Sequence, residues 1–385
     1  MKKILIIFII ILSCLNISRG VILSQKNSSD FQWSPSKLFF SGQNHYEYII
    51  QNKDDYKKEG KIILTQNGEY AHGLYVIFYP LQKLSFESAK FYWLIFNLIL
   101  ISIILIILVK KNNLTINQTI LYIPLCLSSI PFSSHLKLGQ QTLFMLLFFI
   151  LPFFYKGKIF SILSGLSYFK YNIGYALFLR FLIKKEYLNL TLSLIPICIG
   201  FLFYFFYVET NFVSLIFQPF KIASIVTTDS VLKFDLFTIL SRIFQNIDSN
   251  FFLIFKYLFI VLLNIFFIHY SKEIKNNLYN LSFISVVILY CSPHWSHDHI
   301  LLFPLLLFSI KNISNIYSKI NLVLILYFLF INKIIDFVFF DRVGNINFSY
   351  FNFIILTALI LNNFLLTKLN KKNPQKFLSE GSNFV

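Results

Sequence analysis

Charge is what this sequence has least of. Only 13% of its 385 residues are Asp, Glu, Lys or Arg, about half the share of an ordinary soluble domain. That scarcity excludes a chain that keeps itself in water, because 56% of the residues are hydrophobic and apolar runs long enough to cross a bilayer recur along it. Acidic residues are scarcer still, 17 against 34 Lys and Arg, which leaves a net charge of +17. The excess does not mark a nucleic-acid binder. The basic residues lie in short clusters between apolar segments, the pattern of cytoplasmic loops under the positive-inside rule. Cysteine is limited to Cys14, Cys126, Cys198 and Cys291. These are scattered and mostly inside apolar segments, so neither a Cys-x-x-Cys pair nor a disulfide framework exists. No soluble domain and no internal repeat is visible. The composition predicts an all-α polytopic integral membrane protein, one transmembrane domain over 1–385, with about 10–12 transmembrane helices.

Apolar runs and basic clusters together predict a path through the membrane. A retained first helix over about 4–20 leaves Lys2 and Lys3 inside, and a long polar first extracytoplasmic loop follows over 21–89. Helices at 91–109, 116–131 and 141–155 come next, with Lys110, Lys111, Lys156 and Lys158 inside. The stretch 159–183 has basic residues at both ends and is too short for two full crossings at about 1.5 Å per residue. Keeping every cluster inside requires a short re-entrant hairpin broken near Lys170 to Gly174, which is tolerated only where protein or a water-filled cavity covers the backbone. Beyond it come a helix at 188–207, a second extracytoplasmic stretch at 208–250, and helices at 251–269, 278–291, 299–312, 320–337 and 350–367. The tail 368–385 is then cytoplasmic, and parity puts 292–299 outside with the first loop.

Few residues along this path have chemistry to offer. Asp30 falls about ten residues past the first helix, where a carboxylate is either a solvated loop charge, an N-cap or a functional group. Gly139 and Gln140 open an apolar helix; the amide faces headgroups there, or contacts a sugar or phosphate. Lys170 is an ionisable group within an apolar segment, either snorkelling or facing a cavity. Three of the seven histidines, His294, His297 and His299, cluster in "CSPHWSHDHILLFP". Their spacing admits zinc, interfacial packing against Trp295, or donation to a phosphate or sugar hydroxyl. No remote Cys or His set completes a zinc site, so the sequence implies no metal.

The order of these pieces carries more than any one of them. "SDF…FFSGQNHYEY", "YP…SAKFYWLIFN", "LGQQTLFMLLFF", "SGLSYFKYNIG" and "SPHWSHDHILLFPLLL" follow one another over residues 28–310. This series resembles glycosyltransferase family 87, polytopic enzymes of the GT-C class whose best-known members are polyprenol-phosphate-mannose-dependent α-mannosyltransferases. The resemblance implies a catalytic Asp at Asp30. It also implies substrate or donor-phosphate contacts at Gln140, Lys170, His297 or His299, and Tyr79 of the Tyr–Pro step. The chain departs from the pattern in four ways: Thr142 stands for the usual Asn, Tyr171 for a frequent Pro, Asp298 for the second His of a pair, and the spacing before Trp295 is one residue shorter.

The implied function is transfer of a hexose, mannose in the known relatives, from a polyprenyl-phosphate donor to a lipid or glycan acceptor. The reaction falls on the extracytoplasmic face of the cell (plasma or inner) membrane and needs no cofactor. One carboxylate suffices, because a lipid phosphate leaves without the protonation that glycoside hydrolysis requires. A base must take the acceptor hydroxyl proton, and donors must hold the departing phosphate. The rival functions are a lipid-linked sugar transporter or flippase, expected to show repeats and midplane charges, and a polysaccharide polymerase or ligase, expected to lean on external Arg beyond Arg242 and Arg342. The competing external carboxylates are Asp54, Asp55, Glu69, Asp229, Asp235, Asp248, Asp298 and Asp336. Asp298 is read as orienting an imidazole.

Overall fold

The computed structural model describes residues 2–51, 68–208, 210–227, 233–243, 250–332, 334–335 and 345–372. Asp54, Asp55, Asp229, Asp248, Asp336 and Arg342 lie outside the described residues, as does the tail from 373. Among the described residues the structure is helical throughout, without a strand.

Among the described residues four helices are long and apolar enough to cross a membrane: Ile4–Lys26, Phe86–Lys111, Tyr187–Val208 and Ser349–Leu369. A fifth arises if Ile116–Ser128 and Ile130–Leu138, bent by 48° at Ser129, form one span. The chain is thus a multi-pass helical membrane protein. The apolar window is only 11% buried in the first of these helices and 17% in Tyr187–Val208. Faces of that size and apolarity aggregate in water and belong in lipid. Among the described residues six more apolar helical stretches are 10–17 residues long. Two runs that read as single helices change their winding along the backbone. Residues 299–312 open as a 3-10 turn, Ser296–Leu302, before helix Phe303–Lys311, and Ile316–Leu326 runs into a π-helical turn, Tyr327–Ile331.

The chain divides into two compact units. The first comprises Ser18–Ile104 and Ser134–Ser230. Its first loop is not extended: it carries the short helices Trp33–Phe40, His45–Gln51, His72–Ile77 and Tyr79–Gln82. Helix Thr142–Phe154 is apolar on every side and almost wholly buried, as a helix enclosed all round must be. The stretch 159–183 is not one continuous helix. Helix Lys158–Ser164 passes into a 3-10 turn, Gly165–Phe169; Lys170 is extended, and helix Tyr171–Ile183 follows. Gly73 and Gly200 bring helix His72–Ile77 directly against the backbone of Tyr187–Val208, since a Cβ on either would strike its neighbour.

Above that contact lies a buried ring cluster. The His45 ring packs at a tilt with its centroid 3.9 Å from that of Tyr46 and 4.0 Å from that of Tyr75, and its Nδ1 pairs with the Tyr204 hydroxyl at 2.8 Å. His72 packs edge-on to Phe201 and Tyr204. Burial pushes His72 down to about 3, and burial, reinforced by the charge His72 would carry, pushes His45 well below the ordinary histidine value. An unfolded histidine takes a proton below about 6.5, and the folded His72 does not until about 3. The unfolded chain therefore binds more protons across that window, and stability falls as pH falls through it. Melting in detergent should be lower at pH 5 than at pH 7.5, by about 2 kcal/mol of stability from His72 alone. His72→Phe, which keeps the ring contacts, is expected to shrink the drop.

The second unit comprises Met1–Ile17, Leu105–Ser133 and Val231–Val385. Its centre is the almost wholly buried pair Asn277–Cys291 and Phe303–Lys311. Tyr122 donates to the Phe303 carbonyl at 3.2 Å, and Tyr279 to the Asn363 carbonyl at 2.6 Å. Asn321, Asn362 and Asn363 hydrogen-bond across two helices, the polar glue that lipid-embedded helices use in place of a hydrophobic drive. Asn16 closes the end of helix Ile116–Ser128 by donating to the Leu127 and Ser129 carbonyls at 3.0 and 2.8 Å, groups a helix terminus otherwise leaves unsatisfied.

Candidate active site

In the first unit the Gly139–Gln140 step is a helix end as well as a helix start. The Gln140 N–H donates to the His135 carbonyl, and the Gly139 N–H to that of Leu136. With Gly139 at φ +69, this is the left-handed cap that ends many helices. The next orphan carbonyls of the same helix are taken by another segment. Ser28 N–H donates to the Lys137 carbonyl at 3.1 Å, and Asp30 N–H to that of Leu138 at 2.9 Å. Asp30 is therefore stitched to the cap by its own backbone. Gln32 and Gln141 side chains both donate to its carbonyl, at 2.9 and 3.0 Å, and Trp93 donates to the Gly139 carbonyl at 2.9 Å. Phe31 anchors the segment from below, its ring 5.7 Å from Trp93 and 5.6 Å from Phe78.

The cap delivers the Gln140 side chain to the carboxylate. Its Nε2 donates to Asp30 Oδ2 at 2.6 Å. The sequence suggests Gln140 as an amide for sugar or phosphate; in the fold the amide faces Asp30. Two residues on, Thr142 Oγ1 accepts from Lys170 Nζ at 2.8 Å, with Lys170 buried at the break of 159–183. Tyr70, which carries no signal in the sequence, completes the group by donating to Gln140 Oε1 at 3.3 Å. Residues 30, 140 and 70 thus form one hydrogen-bonded chain, and Thr142 with Lys170 a second pair that starts two residues beyond Gln140. Tyr79 is brought to neither: that side chain is exposed, against Phe40 and Lys83.

Gly139 is the hinge of this construction. A Cβ there would sit 2.8 Å from that of Phe31, and a left-handed φ costs a residue with a Cβ roughly 1–2 kcal/mol. Gly139→Ala is expected to lower the melting temperature and to displace Asp30 from Gln140, with loss of function beyond the loss of folded protein. Thermal melts and activity measured on the same preparations check this.

The histidines form a separate cluster in the second unit. His294, His297, Asp298 and His299 are all buried. Asp298 Oδ2 accepts from the Trp295 N–H at 3.3 Å, and its Oδ1 lies 3.8 Å from His297 Nε2. One carboxylate oxygen therefore secures the turn, and the other faces the His297 ring. The His294 Nδ1 faces the Ser292 carbonyl at 3.1 Å. Burial lowers the His294 pKa, and Asp235 and Asp298 partly oppose this. Residues 233–235 pack onto the cluster unannounced by the sequence. Phe234 touches the rings of His294, His299 and Phe328, and Lys233 lies over Trp295 at 5.1 Å. Asp235 caps helix Leu236–Ile243 through Thr238. Among the described residues no group of three or more His, Cys, Asp or Glu is arranged to hold a metal ion.

The fold and the first site define a helical membrane protein with a carboxylate fixed on a glutamine amide and a buried lysine bonded to Thr142, two residues along the chain from that glutamine. No protein-family model, curated protein or solved structure is similar enough to this chain to count as a match.

Proposed function

We propose that the chain is an integral-membrane glycosyltransferase of the GT-C class. It moves a hexose, mannose-like, from a polyprenyl-phosphate donor to a hydroxyl of a lipid or glycan acceptor on the outer face of the cell membrane. The observation that carries the reading is the Asp30 carboxylate held at 2.6 Å by Gln140, with Lys170 fixed on Thr142 in the same unit. Asp30 takes the proton of the acceptor hydroxyl as its oxygen bonds to the anomeric carbon. The bond from that carbon to the phosphate oxygen breaks, and the phosphate leaves with the electron pair. Lys170 supplies charge to the departing phosphate, as electrostatic stabilisation of a leaving anion requires. The family resemblance gives a donor-phosphate role to His297 or His299.

A single base in direct displacement inverts the anomeric centre. Purified protein in lipid, given a labelled polyprenyl-phosphate hexose, is expected to yield an inverted product and one lipid phosphate per sugar transferred. Retention of configuration would remove the one-base mechanism.

A further inference from the structure

We propose that Tyr70 is a positioning residue for Asp30, acting through the Gln140 amide; this rests on the reading of Asp30 as the base. The three groups form a chain. Tyr70 O–H donates to Gln140 Oε1 at 3.3 Å, and Gln140 Nε2 donates to Asp30 Oδ2 at 2.6 Å. A glutamine amide presents either end with almost the same shape, so its neighbours choose the orientation. Facing an ionised carboxylate, Nε2 attracts and Oε1 repels. The Tyr70 hydroxyl satisfies Oε1 on the far side and so holds Nε2 on Asp30. Without it, Oε1 is a buried acceptor with its donor removed, an arrangement that costs the desolvation of that group.

Tyr70 is itself held on both sides. Its carbonyl accepts from the Tyr46 hydroxyl at 2.6 Å, and its N–H donates to the Tyr75 oxygen at 3.2 Å. The next residue, Ala71, donates to the Phe169 carbonyl at 2.9 Å, one position before Lys170. The buried, closely packed rings of His45, Tyr46 and Tyr75 are therefore the base from which the Tyr70 hydroxyl is aimed. Tyr70 and Gln140 are both buried, at 4% and 3% exposure, so water does not readily replace either partner.

A hydrogen bond to the charged form of a carboxyl favours that form. Loss of the Tyr70 hydroxyl should therefore make Asp30 easier to protonate. The other charged or titratable groups on the elements around Asp30 are Glu69 on the linker and Glu87 and Lys90, paired at 2.7 Å. His135 and Lys137 precede the turn, Lys37 is on the next helix, and Lys170 lies beyond Thr142. Neither substitution below changes any of them.

The test is an isotope-edited infrared titration of full-length protein with labelled Asp carboxyls, the Asp30 band being identified by its loss in Asp30→Asn. Tyr70→Phe keeps the ring and should raise the Asp30 midpoint by about half a unit to one unit. Gln140→Leu removes the acceptor, reads the chain from its other end, and should raise the midpoint at least as far. In the double variant Tyr70→Phe should add nothing. A purely structural Tyr70 would lower the melting temperature and leave the midpoint in place. An unmoved midpoint in either single variant, or a full additional shift in the double, overturns the proposal. The titration needs no turnover, so a protein that transferred no sugar would sink the functional reading and leave this result to be judged by itself.

Discussion

Asp30→Asn is expected to cut sugar transfer by at least about 10²-fold, the lower end of what general-base assistance is worth. The substitution is close to isosteric. The Asn side-chain oxygen still accepts from Gln140 Nε2, and the backbone bonds to Leu138, Gln32 and Gln141 are untouched. Folding and donor binding should therefore survive while the basicity is lost. The carboxylate that competes for the role is Asp298. One of its oxygens already holds the Trp295 N–H, which gives it a local structural task, so Asp298→Asn is expected to lose far less turnover. A dead Asp298→Asn beside a near-normal Asp30→Asn would move the base into the histidine cluster.

Lys170→Met should lower kcat/KM for the donor by about 10–100-fold, the worth of one charge-assisted hydrogen bond. Met matches the length of the lysine stem and suits a buried position. Lys170 is held on Thr142 Oγ1, and a charge that serves the donor is missed in the turnover of the folded protein. A charge placed only for folding would instead cost stability and leave the donor kinetics of the folded fraction unchanged. Steady-state kinetics over a donor series, run beside thermal melts, separates the two.

Much of this was legible because charge is so rare in the chain. Basic residues at both ends of 159–183 force a break, and the helix does break at Lys170. "SDF" and "LGQQ" could be joined on paper only by the family resemblance, and in the fold Asp30 and Gln140 touch. The helix cap at Gly139 was not legible, because a Gly before an apolar run reads as a helix start. Its other face depends on helix Ile130–Leu138, which the hydropathy pattern merged with a loop. Tyr70 was hidden for a different reason. It is one of 22 tyrosines in a chain that is 19% aromatic, and only tertiary contact separates an aimed hydroxyl from a packed ring. Asp235 stands out in the sequence only as one of several external carboxylates and Lys233 not at all, because burial of a polar stretch has no signature in composition. The short helices within 21–89 lack the length from which periodicity is read.

The most direct measurement is transfer itself. Purified full-length protein is placed in liposomes with a panel of labelled polyprenyl-phosphate hexoses and an extract of membrane lipids and glycans as acceptor. The account predicts that label leaves at least one donor for a new product, that free polyprenyl phosphate appears in equal amount, and that Asp30→Asn abolishes both. Label that stays on every donor, or that crosses the bilayer still attached to its lipid, would contradict the assignment.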